Sequence, residues 1–219
     1  MSDALRPPPT TVVVFAKAPL PGFAKTRLIP ALGAEGAAAL AARLLRFAVT
    51  EALAAQLGAV EVWAAPDGQH PAFAELAQRG GITLRAQGEG DLGERMARAF
   101  AFHADRSTAA QAPPVLLIGT DAPGLDRHYL RQAAAALAGH DAVFGPALDG
   151  GYTLVGLRRP APQLFDAMTW STSAVMAETR LRLQRLGLRH AELPPLTDID
   201  EPADLERLPP GWLTGLPPD

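Results

Sequence analysis

Three basic side chains fall within eleven positions near the start of the chain. They are Lys17, Lys25 and Arg27, in Phe15-Ala-Lys-Ala-Pro-Leu-Pro-Gly22-Phe-Ala-Lys25-Thr26-Arg27-Leu28. A loop shaped by proline and glycine, set between a strand and a long helix, can aim backbone N–H groups and cations at one point, which suits phosphate. Only two of the 20 Lys and Arg residues are lysines, and both lie in this loop. That distribution fits a site wanting a compact point charge. The bland alternative is a solvated surface loop. The Gly-x4-Gly-Lys-Ser/Thr pattern of a Walker loop is absent.

The carboxylates make a second group. Asp121, in Gly119-Thr-Asp-Ala-Pro-Gly124, stands directly past the apolar run Val115–Ile118. From there it can hold Mg²⁺ on a nucleotide phosphate, or it can merely cap a turn set by Pro123. Asp149-Gly150-Gly151-Tyr152 reads first as a tight turn, and its glycines would also let a ligand approach the backbone. Trp170-Ser171-Thr172-Ser173 precedes a helix, where Ser and Thr are ordinary caps. Asp198 and Asp200 are two residues apart, so in an extended segment both point to one side. They either complete a metal site begun by Asp121, or Asp200 caps the helix entered at Pro202.

Gly88-Glu-Gly90-Asp91-Leu-Gly93 matches the dinucleotide-binding spacing, but it follows the third strand and not the first. Position 113, where the pattern wants an acid, is proline. The stretch from Gln87 to Arg95 is expected to pack near a ligand, with Asp91 and Arg95 as its polar candidates.

These residues need a scaffold. Short apolar runs at 11–16, 60–64, 82–85, 115–118, 141–144, 152–157 and 188–193 read as strands. Helical patterns at 34–57, 71–79, 92–105, 126–138 and 173–186 alternate with them, and a short helix follows at 202–208. The alternation predicts a single-domain, three-layer α/β/α sandwich on a mainly parallel mixed sheet, with ligands beyond the C-terminal strand ends. The domain is expected over 11–208, between an extended or disordered segment at 1–10 and a Pro-rich tail at 209–219. Trp212 in that tail packs on the body or on a partner, and oligomeric state stays open.

Composition excludes several classes. The 219 residues are 48% hydrophobic and 20% charged, with a formal net charge of −3 and no cysteine. Disulfides, thiolate catalysis and Cys-ligated metal are therefore out. No basic stripe suggests nucleic acid. The acidic, proline-rich first residues lack a signal-peptide pattern, and no apolar run suggests a membrane span. A cytoplasmic protein is expected.

As an ordered set, these motifs resemble a family of glycosyltransferase-like proteins that includes arsenosugar-biosynthesis-type glycosyltransferases. The set is the Lys17–Leu28 loop, Gly90-Asp-Leu-Gly-Glu-Arg-Met96, Gly119-Thr-Asp-Ala-Pro123, Gly145-Pro-Ala-Leu-Asp-Gly-Gly-Tyr152, Trp170-Ser-Thr172 and Asp198-Ile-Asp-Glu-Pro-Ala-Asp-Leu205. The resemblance spans about residues 12–208 and implies the nucleotide-diphospho-sugar transferase (GT-A-like) fold. The first loop is also similar to that of deazaflavin-cofactor guanylyltransferases, in its Ala-Lys-Thr-Arg-Leu segment.

By resemblance, Lys25 and Arg27 contact nucleotide phosphates, with Lys17, Gly22, Thr26, Asp91 and Arg95 beside them. Asp121 holds Mg²⁺ or Mn²⁺, helped by Asp200 and Asp198. From its place beside the Gly-Gly turn, and not by resemblance, Asp149 reads as an acceptor-side base and with Lys25 and Arg27 makes the catalytic set; Gly150, Gly151, Tyr152, Trp170, Ser171 and Thr172 are expected around the acceptor. The Asp-x-Asp of typical sugar transferases is here Thr120-Asp121-Ala122, which leaves one aspartate at the strand end. The function implied is a transferase using a nucleotide-sugar donor and a small-molecule acceptor. The alternatives are nucleotidyl transfer from a nucleoside triphosphate, and nucleotide binding without catalysis.

Overall fold

The computed structural model describes residues 9–105 and 112–217. The expected N-terminal segment at 1–8 lies outside the described residues, and Thr10 is already buried. Seven strands form one sheet: β1 (Thr11–Lys17), β2 (Val60–Ala65), β3 (Ile82–Ala86), β4 (Val115–Ile118), β5 (Ala142–Pro146), β6 (Tyr152–Leu157) and β7 (His190–Glu192). Their order is β3-β2-β1-β4-β6-β5-β7. Strand β6 pairs antiparallel with both β4 and β5, and every other pairing is parallel.

The central strands are apolar along their whole length because both faces are covered. Val12, Val14 and Ala16 of β1 pack under helices α1 (Ile29–Ala55), α2 (Pro71–Gln78) and α4 (Arg127–Leu137). Val13 and Phe15 face the opposite layer, made by α3 (Leu92–Asp105) and α5 (Val175–Arg185). A short 3-10 helix, Pro202–Arg207, closes the run of elements.

Helix α1 begins earlier than its hydrophobic period suggests, with a Pro30-initiated turn ahead of Gly33. Gly33 itself is non-helical, at φ 66° and ψ 169°. The main helix after this break coincides with the predicted start at 34. In length and mean hydropathy the Thr26–Ala55 segment resembles a membrane helix. Its Leu45, Ala48, Val49 and Ala52 are instead spent inside the domain core.

The C-terminal tail packs on the body. The Arg43 guanidinium donates to the carbonyls of Gly211, Trp212 and Thr214, and the Trp212 ring meets Phe47 edge-on at 5.2 Å. Together with Leu205, Leu208 and Leu216, Trp212 covers a small core around Leu28, Leu40, Leu44 and Ile199.

Candidate functional site

Strand direction explains where the site forms. Strands β1 and β4 run parallel, so Lys17 and the Gly119–Asp121 segment leave the sheet at the same edge. Strand β6 runs the other way, pairing Leu154 with Ile118, so its first residue, Tyr152, reaches that edge too. A cleft of about 570 Å³ opens there.

Its lining includes the basic group Lys17, Lys25, Arg27 and Arg95, together with Asp121, Asp149 and Asp200. Thr26, Tyr152, Trp170 and Ser171 line it as well. Of the other expected residues, Gly22, Gly150, Gly151, Thr172 and Asp198 are not part of this lining.

The first loop is built to deliver Lys25. The N–H groups of Phe23 and Ala24 both donate to the Leu20 carbonyl, and a 3-10 turn follows over Thr26–Leu28. Between them Lys25 adopts left-handed backbone angles, φ 52° and ψ 42°. Such a conformation costs a non-glycine residue about 1–2 kcal/mol and persists only where neighbours impose it.

Its side chain is only 6% exposed, and the ammonium lies 2.6 Å from Asp121 Oδ1 and 3.9 Å from Asp200 Oδ1. It also donates to the Ile199 carbonyl, while the Ile199 N–H donates to the Asp121 carbonyl. Lys25 therefore ties the C-terminal segment to the end of β4. Arg27, far more exposed, donates to Asp200 Oδ2 at 2.7 Å.

Compensation is uneven among the carboxylates. Asp198 is held above the usual carboxylate range by burial, by the neighbouring Asp149 charge, and further by Asp121 and Asp200. Asp149 accepts the Gly151 N–H at 2.8 Å, an Asx turn that presents its carboxylate at the cleft. Asp204 Oδ2 accepts the N–H groups of Asp200 and Glu201, and Glu201 with Asp204 forms a reciprocal capping box.

The Gly88–Arg95 segment divides its duties. Asp91 is a helix cap: its carboxylate accepts the Glu94 N–H, and Glu94 accepts the Asp91 N–H in return. Arg95 does line the cleft, held by the Gln87 Oε1 at 2.9 Å and the Asp91 carbonyl at 3.1 Å. Gln87, 3% exposed, donates from its Nε2 to the carbonyls of Ala16 and Trp63. All of its side-chain polar atoms are thereby used to aim Arg95. The sequence placed Gln87 near the site, but only the strand arrangement shows it as the arginine's anchor.

The donor set bears on a metal. Among the described residues no three acidic or histidine side chains converge closely enough to cage an ion. Mg²⁺ commonly takes one or two carboxylates and completes its shell with phosphate and water. Asp121, half exposed on the cleft, and Asp198, whose charge is opposed by burial and by its carboxylate neighbours, fit that mode, whereas Asp200 is already paired with Arg27.

The architecture is that of the nucleotide-diphospho-sugar transferase-like proteins. A structure from Desulfovibrio desulfuricans G20, named as a candidate nucleotide-diphospho-sugar transferase, superposes with a TM-score of 0.79 at 30% identity, covering 89% of this chain and 83% of that one. A CMP:2-keto-3-deoxy-manno-octonic acid synthetase complexed with CTP matches at TM-score 0.51 and 13% identity, over 90% and 95% of the two chains. A cytidylyltransferase from Leptospira borgpetersenii matches at 0.55 and 13%, over 91% and 84%. These last two share the fold. The sequence has no match among curated proteins. Residues 48–172 match the model of DUF2064, described as an uncharacterized protein conserved in bacteria, and the chain belongs to that family.

Proposed function

We propose that the protein is a nucleotide-dependent transferase that moves a sugar from a nucleotide-sugar donor to a small-molecule acceptor. The observation that carries this reading is the gathering of Lys17, Arg27 and Arg95 with Asp121, Asp149 and Asp200 in one cleft at the strand edge. The 30% identical structure is named for the same class.

Lys17, Arg27 and Arg95 offset charge on the donor diphosphate. Lys25 sets the spacing of Asp121 and Asp200 and reduces the local negative charge that would repel that diphosphate. Mg²⁺ or Mn²⁺, held by Asp121 with Asp200 or Asp198, would supply charge stabilisation for the departing nucleoside diphosphate. The acceptor oxygen forms a bond to the anomeric carbon as the bond from that carbon to the phosphate oxygen breaks. Asp149 takes the acceptor hydroxyl proton, and the electron pair leaves with the nucleoside diphosphate.

A second reading uses the same cleft for nucleotidyl transfer. Its support is that Lys17, Arg27 and Arg95 all line the cleft, where a triphosphate would also bring its charge. There an acceptor phosphate would attack the α-phosphorus of a nucleoside triphosphate, and pyrophosphate would leave.

Thermal denaturation with nucleoside diphosphates, triphosphates and nucleotide sugars, each with and without Mg²⁺, separates the readings. Stabilisation by nucleotide sugars supports the first, and stabilisation confined to triphosphates supports the second. No stabilisation by any nucleotide leaves neither enzyme standing. Asp121→Asn is expected to abolish the Mg²⁺ dependence of nucleotide affinity, and an unaltered Mg²⁺ titration would count against its role.

A further inference from the structure

Tyr152 and Trp170 line the cleft, yet the Tyr152 hydroxyl and the Trp170 indole N–H are buried with no hydrogen-bond partner among the described residues. A buried polar group left unpaired destabilises a fold by about 1–3 kcal/mol. Two such groups in one wall need a reason. Their rings meet edge-on with centroids 6.3 Å apart, and Tyr152 in turn packs edge-on against Phe144 at 5.3 Å.

The segment bearing Trp170 is held with effort. Arg182 of α5 donates to the carbonyls of Gln163, Leu164 and Asp166, fixing the approach. Ala167 and Ser171, on either side of the tryptophan, both have positive φ, 47° and 61°. Non-glycine residues in that region carry strain of about 1–3 kcal/mol each, and cluster where function demands them.

Two motif glycines make room. A Cβ on Gly93 would come within 2.6 Å of the Phe165 carbonyl oxygen and 3.1 Å of Trp170 Nε1. A Cβ on Gly150 would collide with the Ser173 backbone. Gly93 and Gly150 thus make room for the segment from Phe165 to Ser173.

The geometry points to a subsite on the Tyr152–Trp170 wall for an uncharged, hydroxyl-rich ring or polyol unit, one that accepts hydrogen bonds from the phenol and the indole and lays its C–H face on the aromatic surface. The wall offers donors and ring faces without a free cation: the nearby Arg182 is occupied by three carbonyls and by Glu178. Burial pushes the Tyr152 phenol well above its ordinary value, so it stays a donor. Neither polar atom is open to solvent in the free protein. The ligand therefore displaces the indole edge to reach them, and the strained segment is the part able to give.

The unit belongs to a donor sugar or to an acceptor, and this inference rests on the proposed function only for that assignment. Saturation-transfer NMR with the methyl glycosides of glucose, galactose, mannose and ribose, and with myo-inositol, tests it without any nucleotide. Tyr152→Phe keeps its ring and Trp170→Phe keeps a smaller aromatic ring, and both remove the donor. Each variant is expected to weaken binding of the retained probe about 3- to 10-fold. The affinity of a nucleoside diphosphate should be unchanged. If the unit is part of the donor, the affinity gain of a nucleotide sugar over its nucleoside diphosphate shrinks by the same factor; if that gain stays intact, the unit is the acceptor's.

Without ligand, Tyr152→Phe should leave the Tm equal or raised, because it deletes an unpartnered polar atom. The proposal is overturned if none of the probes binds, if binding survives both variants, if glucuronate binds more tightly than the neutral glucoside, or if Tyr152→Phe lowers the Tm by several degrees.

Discussion

Two ionic clusters sit on this sheet, and they are built on opposite plans. On β2, Glu61 is a single carboxylate among many donors. It accepts from Trp63 Nε1 at 2.9 Å and from Arg85 Nε at 2.8 Å, with His103 Nε2 3.4 Å away. The Arg85 guanidinium also lies over the Phe102 ring, 4.2 Å from its centroid. Burial alone would push Glu61 up, but the hydrogen bonds from Arg85 and Trp63, with the His103 ring close by, outweigh it and hold the group at about 2. At the strand edge the balance reverses: Lys25 and Arg27 pair with Asp121 and Asp200, while Asp198 is pushed up by burial and by the neighbouring Asp149, Asp121 and Asp200 charges. A cluster that satisfies itself stabilises the fold. A cluster in which one carboxylate is held against its neighbours' charge has capacity for a cation or a ligand from outside.

Breaking the balanced cluster should have the largest effect on stability. Glu61→Gln removes the counter-charge of a partly buried arginine and is expected to destabilise by about 3 kcal/mol, lowering Tm by roughly 6–12 °C. The same contrast has a pH signature. The folded value of Glu61 lies below its ordinary 4.5, so its contribution is complete above that pH and is lost as pH falls through about 2. Denaturant unfolding between pH 5 and 2 should show this slope in the native protein and lack it in Glu61→Gln. Identical slopes would show that Glu61 does not differ between the folded and unfolded states.

At the unbalanced cluster, Lys25→Ala is expected to weaken nucleotide binding about 10-fold or more by calorimetry, since Asp121 loses its ammonium partner and its bare charge then repels the nucleotide phosphates. Lys25→Gly should recover stability relative to Lys25→Ala, because φ 52° suits glycine, without restoring affinity. Equal nucleotide affinity in native protein and Lys25→Ala would remove Lys25 from the site.

The smallest effect tests the surplus itself. Asp198→Asn relieves repulsion from Asp149, Asp121 and Asp200, and should raise Tm by about 1–3 °C. A lower Tm would mean the carboxylate is compensated after all.

Much of this was legible in the residues. The strand runs and the helix at Leu92–Asp105 follow from hydrophobic periodicity, which is local. The loop cations and Asp121 stood out because their types and strand-end positions are local facts too. Other assignments changed in space. Lys25 was expected as a free phosphate contact, and it is found buried against Asp121 and the Ile199 carbonyl. That pairing joins residues 174 positions apart in the chain, a separation at which no spacing pattern operates. Asp91 was a polar candidate for the ligand, and its carboxylate is used on the Glu94 N–H. The tail, with two possible placements in sequence, is held on α1 by Arg43.

The sequence by itself determined a parallel-rich α/β sandwich and the motifs that gather at its ligand edge. Alternating apolar runs and strand-end residues are enough for that, since the sheet must be covered on both faces. Only the tertiary structure decided which charges cancel. Whether a lysine is a clamp, a strut or a counter-ion depends on what stands within a few ångströms of its nitrogen, because ionic interactions in a partly buried site weaken steeply with distance and exposure. The reversed direction of β6 likewise brought Tyr152 to the same edge as Lys17 and Asp121 and left its hydroxyl, with the Trp170 N–H, awaiting a partner.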